Sequence, residues 1–386
     1  MSGLLLDCVR AFVASDSSGQ TQVTVPQGED WESLFRTASR HGVTPVVSWV
    51  LANADPDTVP EAHRVRLRES LRANALHNLT LAGELLSILN LLESRGIAAV
   101  PFKGPVLAVS VYGNLALRDF CDLDILIRNQ DVRRTIDLLV GCGYRTDLAS
   151  NPAEEAAYLR SRYEIHFTPP RGDALIEIHR AFVPEFCCFP LTYESLAPRL
   201  RRVSLCGTEV AGIAPEDLLL ILSVHGAKHA WSTLGWICDV ARLVSVQANA
   251  IDWDTVHARA RQLGVERLLA LALFLANSVL GAALPAEVLN RCRADKAVNS
   301  LTCEVRHRLF SESGGSLSEF QSHWFFIKTR ELISDKFEYC RRLAFTLTEE
   351  DYRIVSLPAF LSPLYYPLRA VRIFGKYGMA PLQRLF

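Results

Sequence analysis

None of the ten cysteines forms a C-x-x-C pair, and the one adjacent pair is Cys187–Cys188. That spacing excludes a disulfide framework and a zinc ribbon. The thiols read as buried side chains of a reducing compartment, which places the chain in the cytoplasm. Charge of one sign is also missing: 41 Lys and Arg face 42 Asp and Glu, a net charge of −1. No global basic field therefore invites long nucleic acid, although a local basic groove stays open. The first ten residues lack a basic segment and carry Asp7 inside their apolar stretch, so they do not read as a secretion signal. The uncharged run 268–286 is about long enough to span a bilayer. It contains Asn277, Ser278, Gly281 and Pro285, and reads instead as a core helix stopped by Gly281, leaving no transmembrane segment. There is no internal repeat.

What is present is ample material for a packed interior. Hydrophobic residues make up 49% and charged residues 22% of 386 positions, which excludes a disordered chain and suggests two or three domains. The first part reads as helix: 29–41, 43–53, and a long segment from Pro60 to about residue 95, where Gly96 stops it. Leu81, Leu85, Ile88 and Leu92 recur along it at three- and four-residue steps. The texture changes after Gly96. A strand is expected at 97–101, a helix at 104–112, an apolar strand at 123–127 and a helix at 130–141. Two further strands are expected at 163–168 and 174–179, joined by a Pro-Pro-Arg-Gly-Asp turn at 169–173. From Pro215 onward the pattern is helical again, at 215–229, 233–246, 253–263, 265–280 and beyond Pro285. A flexible loop is expected at 311–318 and a packed irregular tail at 361–386. The divisions are an N-terminal helical region 1–95, an α/β core 96–212 and a C-terminal helical domain 213–386.

The chemistry concentrates in 102–127. Asp122 and Asp124 stand two apart on a strand, so both project from one face while Leu123, Ile125 and Ile127 point the other way. Two carboxylates so placed repel each other unless a cation lies between them. Magnesium suits them, because it takes carboxylate oxygens and leaves positions for substrate phosphates. A bare Asp-x-Asp is weak on its own, and its neighbourhood strengthens it. Tyr112-Gly113-Asn114 is a turn whose amides can meet phosphate oxygens, Arg118 lies between that turn and the acids, and Lys103-Gly104 ends the preceding strand. A second constellation holds His225, Lys228 and His229 on one helical face, with Asp239 further on. No glutamate lies between the histidines, which argues against a zinc site. Capping and bridging of helices, with Trp231 and Trp236 as core, is the plain structural reading of this group.

These motifs resemble the nucleotidyltransferase superfamily typified by DNA polymerase beta, with its Gly-Ser turn, Asp-x-Asp strand and third carboxylate on a later strand. More closely, the chain resembles a bacterial family of uncharacterised nucleotidyltransferases, through Lys103-Gly104, Tyr112-Gly113, Arg118, Asp122-Leu123-Asp124, the strand ending Ile176-Glu177-Ile178-His179, and the stretch from His225 to Asp239. That resemblance covers much of 60–285. It implies an α+β fold, a small mixed-sheet core flanked by helical regions. It implies metal-dependent transfer of a nucleoside monophosphate from a nucleoside triphosphate to an acceptor, small molecule or peptide, with release of pyrophosphate. Asp122, Asp124 and Glu177 would hold two magnesium ions. Glu164 and Asp173 are the alternatives to Glu177 as the third acid. Lys103, Gly104, Gly113, Asn114 and Arg118 would contact the triphosphate. The helix carrying Lys228 and His229 would face the cleft, Lys228 neutralising phosphate and His229 orienting nucleotide or acceptor. Asn114 stands where the broad superfamily has serine, and the gap from glycine to the first acid is shorter. Two competing classes are a non-catalytic nucleotide- or peptide-binding protein that keeps the fold, and a phosphodiesterase on the same metal pair.

Overall fold

A computed structural model describes residues 3–15, 23–55, 57–148, 155, 158–159, 161–172, 174–311, 317–354, 357, 359–373 and 375. Asp173 and most of the expected loop at 311–318 lie outside these. Helices and strands alternate only in the middle of the chain. There, β1 (Ala99–Pro101), β2 (Asp122–Ile127), β3 (Arg145–Thr146), β4 (Glu164–Thr168) and β5 (Leu175–His179) form one sheet in the order β1-β2-β5-β4-β3. β2 runs parallel to β5, and the other pairings are antiparallel. This is the mixed α+β architecture expected, a small sheet within a largely helical chain.

The sheet has two chemically different faces because side chains alternate along each strand. Leu123, Ile125 and Ile127 of β2, Ile176 and Ile178 of β5, and Ile165 and Phe167 of β4 share one face. They pack with Leu81, Leu85, Ile88 and Leu92 of the long helix Glu61–Ser94 and with Ile136 and Leu139 of the helix Val132–Gly141. The leucine spacing along the long helix thus marks the stripe that covers the sheet. Among the described helices, Glu61–Ser94 is the one long and apolar enough, by length and composition, to cross a membrane. Its Asn74 and Asn78 amides donate to the carbonyls of Leu115, Ala116 and Arg118, 2.5–3.2 Å away.

A second core joins both ends of the chain. Helices Gly3–Ala14 and Thr44–Ala52 pack with Pro215–Lys228, Leu234–Val246 and Glu266–Leu280. The uncharged run at 268–286 is the last of these, buried and closed by Gly281 at φ 73°. Three local features differ from the sequence reading. The expected helix 104–112 is a single α-turn, Gly104–Leu107, continued by a π-helical turn, Ala108–Tyr112. A hairpin of β6 (Arg201–Leu205) and β7 (Thr208–Gly212) was not expected. Its two-residue turn sets both Cys206 and Gly207 at positive φ, and cysteine there gives none of the Asn-Gly signal that usually marks such a turn. The tail is not irregular throughout, since Tyr365–Ile373 is a helix.

The link between Pro215–Lys228 and Leu234–Val246 is unusually constrained. Ala230 and Trp231 both have positive φ, at 52° and 54°, a region that a bulky side chain rarely occupies. Trp231 is fully buried, and its ring lies against Gly226 so closely that a Cβ there would sit 2.4 Å from it. Gly226→Ala gains up to about 1 kcal/mol of helix propensity but overpacks the ring at a cost of about 1–3 kcal/mol, for a net loss of up to about 2 kcal/mol. Thermal unfolding of the variant checks this: a lowered melting temperature is expected, and a raised one contradicts the packing.

Candidate active site

The polar face of the sheet gathers six titratable side chains. In the β2–β5 register Asp124 lies opposite Glu177, with Asp122 one pleat before and His179 one pleat after. In the β4–β5 register Glu164 lies opposite His179 and His166 opposite Glu177. Paired residues and residues two apart point the same way, so all six share a face.

Asp124 is at the centre and is buried. Lys103 Nζ stands 2.7 Å from its Oδ1, and His179 Nε2 3.1 Å from the same oxygen. His179 Nε2 is also 3.2 Å from Glu177 Oε2. Burial alone would raise the Asp124 carboxyl, but Lys103 and His179 outweigh it and hold it well below the usual carboxylate range. Burial likewise opposes charge on His179, yet Asp124 and Glu177 bring its pKa up to about 9. The Phe102 ring meets the imidazole edge-on at 5.0 Å. Lys103 reaches Asp124 because the chain turns sharply on leaving β1. Gly104 has φ 51°, and a Cβ there would lie 3.1 Å from the Asp122 carbonyl oxygen. This is the role of the Lys-Gly pair: glycine permits the close turn, and the turn delivers the lysine.

Asp122 is less relieved. Burial and then the neighbouring charge of Asp124 push its pKa up to about 6, against the help of Lys103. Glu164 behaves oppositely: burial would raise it, but the hydrogen bond with His166 and the charges of His179 and Lys228 bring it down to about 2.

The other expected residues are placed as follows. Arg118 is half-buried against Asp239, Nε to Oδ1 at 2.9 Å and Nη2 to Oδ2 at 3.0 Å, and the Tyr112 hydroxyl donates to the same carboxylate at 2.6 Å. Its fork is therefore committed to a protein carboxylate. Gly113 (φ 75°) and Asn114 are exposed, and Asn114 Oδ1 accepts the Ala116 N–H at 2.9 Å. Lys228 donates to the Tyr163 hydroxyl, next to Glu164. Burial and then Lys228 lower the His229 pKa to about 3. Lys228 and His229 also line a cavity of about 350 Å³ with Phe186, Phe326 and Tyr339. Sequence reasoning gave no role to His166 or Tyr163, and it grouped Asp239 with the helical residues His225, Lys228 and His229, not with Arg118. An acid inside the apolar run 234–246 was the available signal for Asp239, since a buried carboxylate needs a cation or donors.

Which side chains fit a divalent ion follows from the same geometry. Ligand atoms of Asp124, Glu177 and His179 lie within 4.8 Å of one another, as do those of Glu164, His166 and Glu177. Glu177 belongs to both groups and Asp122 to neither. Neither oxygen of Asp124 receives a hydrogen bond of good geometry, although both are buried. A buried carboxylate held by Lys103 and His179 beside a second acid, with the raised Asp122 close by, is a donor set of the oxygen-rich kind that magnesium takes.

A family described as "Uncharacterised nucleotidyltransferase" matches residues 27–281. The chain belongs to this family. It is therefore a transferase, and the matched span covers the sheet, its acids and the helix carrying Lys228. Among solved structures, the chain is similar to the antibiotic-resistance factor ANT(2'')-Ia, determined in solution. Identity is 14% over 60% of this chain and 97% of that one, with a TM-score of 0.29. No protein of curated function matches.

The raised Asp122 carries a stability consequence. Its folded pKa of about 6 lies above the unfolded value of about 3.9, so the folded state binds the proton more tightly. Stability falls as pH rises from about 4 to 6, and the full penalty, roughly 3 kcal/mol, holds above that. In buffer free of divalent ions, Asp122→Asn is expected to raise the melting temperature, with a gain about twice as large at pH 8 as at pH 5. Equal gains at the two pH values, or a loss, would contradict the charge crowding.

Proposed function

We propose that this nucleotidyltransferase moves a nucleoside monophosphate from a nucleoside triphosphate to the hydroxyl of a small molecule or peptide, releasing pyrophosphate, with Asp122, Asp124 and Glu177 holding two magnesium ions. The observation that carries the reading is the in-register pairing of Asp124 with Glu177 across β2 and β5, beside Asp122, on the polar face of the sheet. Bound magnesium would neutralise the triphosphate oxygens and the departing pyrophosphate. The acceptor oxygen forms a bond to the α-phosphorus while the bond to the α–β bridging oxygen breaks. That bridging oxygen leaves on pyrophosphate, and a carboxylate of the polar face takes the acceptor proton.

Each cation then has a distinct part. Lys103, which neutralises Asp124, is free to meet phosphate once another cation serves the carboxylate. Lys228, bonded to the Tyr163 hydroxyl next to Glu164, offsets phosphate charge, with His229 next to it orienting nucleotide or acceptor. Arg118 acts chiefly by position: with Asp239 and Tyr112 it fixes the segment between Gly113 and β2, so that Gly104, Gly113 and Asn114 frame the triphosphate. Glu177 is the third acid, because it shares ligand distance with Asp124, whereas Glu164 groups with His166. We also infer a cytoplasmic location: the expectation of buried thiols fails for Cys121, Cys142, Cys206, Cys303 and Cys340, which are exposed, and exposed thiols suit a reducing compartment.

Calorimetric titration of the four nucleoside triphosphates with magnesium tests this without an acceptor. Wild type is expected to bind at least one of them in a magnesium-dependent way. Asp122→Asn/Asp124→Asn and Glu177→Gln are expected to lose that binding, and Glu164→Gln to keep most of it. Absence of triphosphate binding under any divalent ion, or unchanged binding in the double variant, would refute the proposal.

A further inference from the structure

Beside Lys228 lies a group of rings of which the proposed function uses only His229. His225 and His229 occupy the last turn of the Pro215–Lys228 helix and its cap, and Trp236 the first turn of the next helix. All three are partly exposed, whereas Trp231 between them is buried. The His229 and Trp236 centroids are 4.9 Å apart and 30° from parallel. His225 lies 4.8 Å from His229 and stands edge-on to Trp236 at 5.7 Å. His229 also borders the 350 Å³ cavity, which has further aromatic walls in Phe186, Phe326 and Tyr339.

The rings are held there at a cost. Trp236 can lie on His229 only because the chain reverses within a few residues, through two consecutive positive-φ residues, Ala230 and Trp231. Strain of this kind persists where the surroundings over-determine it, and it collects at ligand sites. Three contacts over-determine it here. Trp231 plugs against Gly226, Arg308 Nη2 donates to the Ala230 carbonyl at 2.8 Å, and Gly235 N–H donates to the His41 carbonyl at 2.9 Å.

The rings adjoin the proposed phosphate site. Both imidazoles feel the charge of Lys103, the residue on Asp124, and burial followed by these neighbouring cations keeps both rings neutral. Asp239, three residues after Trp236 on the same helical face, holds Arg118 and Tyr112. The protein therefore presents flat, uncharged rings beside cations and carboxylates. A nucleoside triphosphate has the matching division, a charged end that needs cations and metal and a planar end that needs a π-surface.

We infer that Trp236, with His229 and His225, is the stacking platform for the nucleobase of the bound triphosphate. This rests on the proposed function and adds a specificity-determining element to it. Every base has a π-face, so the platform provides affinity for nucleotides as a class.

The test compares magnesium-bound inorganic tripolyphosphate with the nucleoside triphosphates, by calorimetry, on wild type, Trp236→Phe and Trp236→Leu. Wild type is expected to bind its preferred nucleotide roughly tenfold to a hundredfold more tightly than tripolyphosphate, the usual worth of one stacked base. Trp236→Leu should lose most of that advantage while binding tripolyphosphate as wild type does, and Trp236→Phe should keep most of it. Equal affinity for nucleotide and tripolyphosphate in wild type would overturn the platform and leave the metal-triphosphate site standing. So would a Trp236→Leu protein with an unchanged nucleotide advantage. Failure of wild type to bind either ligand overturns the proposed function and the platform together.

Discussion

The buried charge of Asp124 is the constraint from which the rest of the site follows. An isolated carboxylate at that depth is costly, and it persists only if cations or strong donors surround it. The fold brings two: Lys103, by a turn that glycine eases at position 104, and His179, by parallel pairing of β2 with β5. Removing one partner of such a buried pair costs about 3–5 kcal/mol, because the other charge is left uncompensated. The same sheet face then adds Glu177, Glu164 and Asp122; His166, His179 and Lys228 serve Glu164, while Asp122, raised by burial and then by Asp124, keeps the least relief. A carboxylate left in that state beside Asp124 has room for a further cation.

The helical frame keeps the face in shape from both sides. The long helix seals the apolar side of the sheet with its leucine stripe, and its two asparagines hold the carbonyls of the segment leading into β2. From the C-terminal side, Asp239 reaches across to Arg118 and Tyr112, tying the same segment to a helix more than a hundred residues away. The segment that positions Asp122 is thus fixed from the N-terminal and C-terminal helices together.

Much of this was legible in the sequence. Strand alternation set Asp122 and Asp124 on one face, helical periodicity marked the leucine stripe, and glycine and proline bounded most helices to within one or two residues. Glu177 was preferred on family likeness and on the face it shares with His179, and in the β2–β5 register it lies opposite Asp124, a pairing that sequence alone does not give. Long-range partnership was not legible. Arg118 reads as a cation available to phosphate until Asp239 is seen beside it, and nothing local in either residue announces the pair. Trp231 and Trp236 look alike in sequence, yet one plugs a turn and the other lies partly exposed, because the reversal between them depends on two positive-φ residues that composition does not mark. The β6–β7 hairpin escaped for a similar reason, having a cysteine where its turn usually takes asparagine or aspartate.

The most direct measurement is to locate manganese in crystals soaked with the ion and a triphosphate that cannot be cleaved between its α- and β-phosphorus, using anomalous scattering. The account predicts peaks bounded by Asp122, Asp124 and Glu177, with Lys103 moved off Asp124 toward phosphate. Manganese confined to Glu164, His166 and Glu177, with the Lys103–Asp124 contact intact, would contradict it.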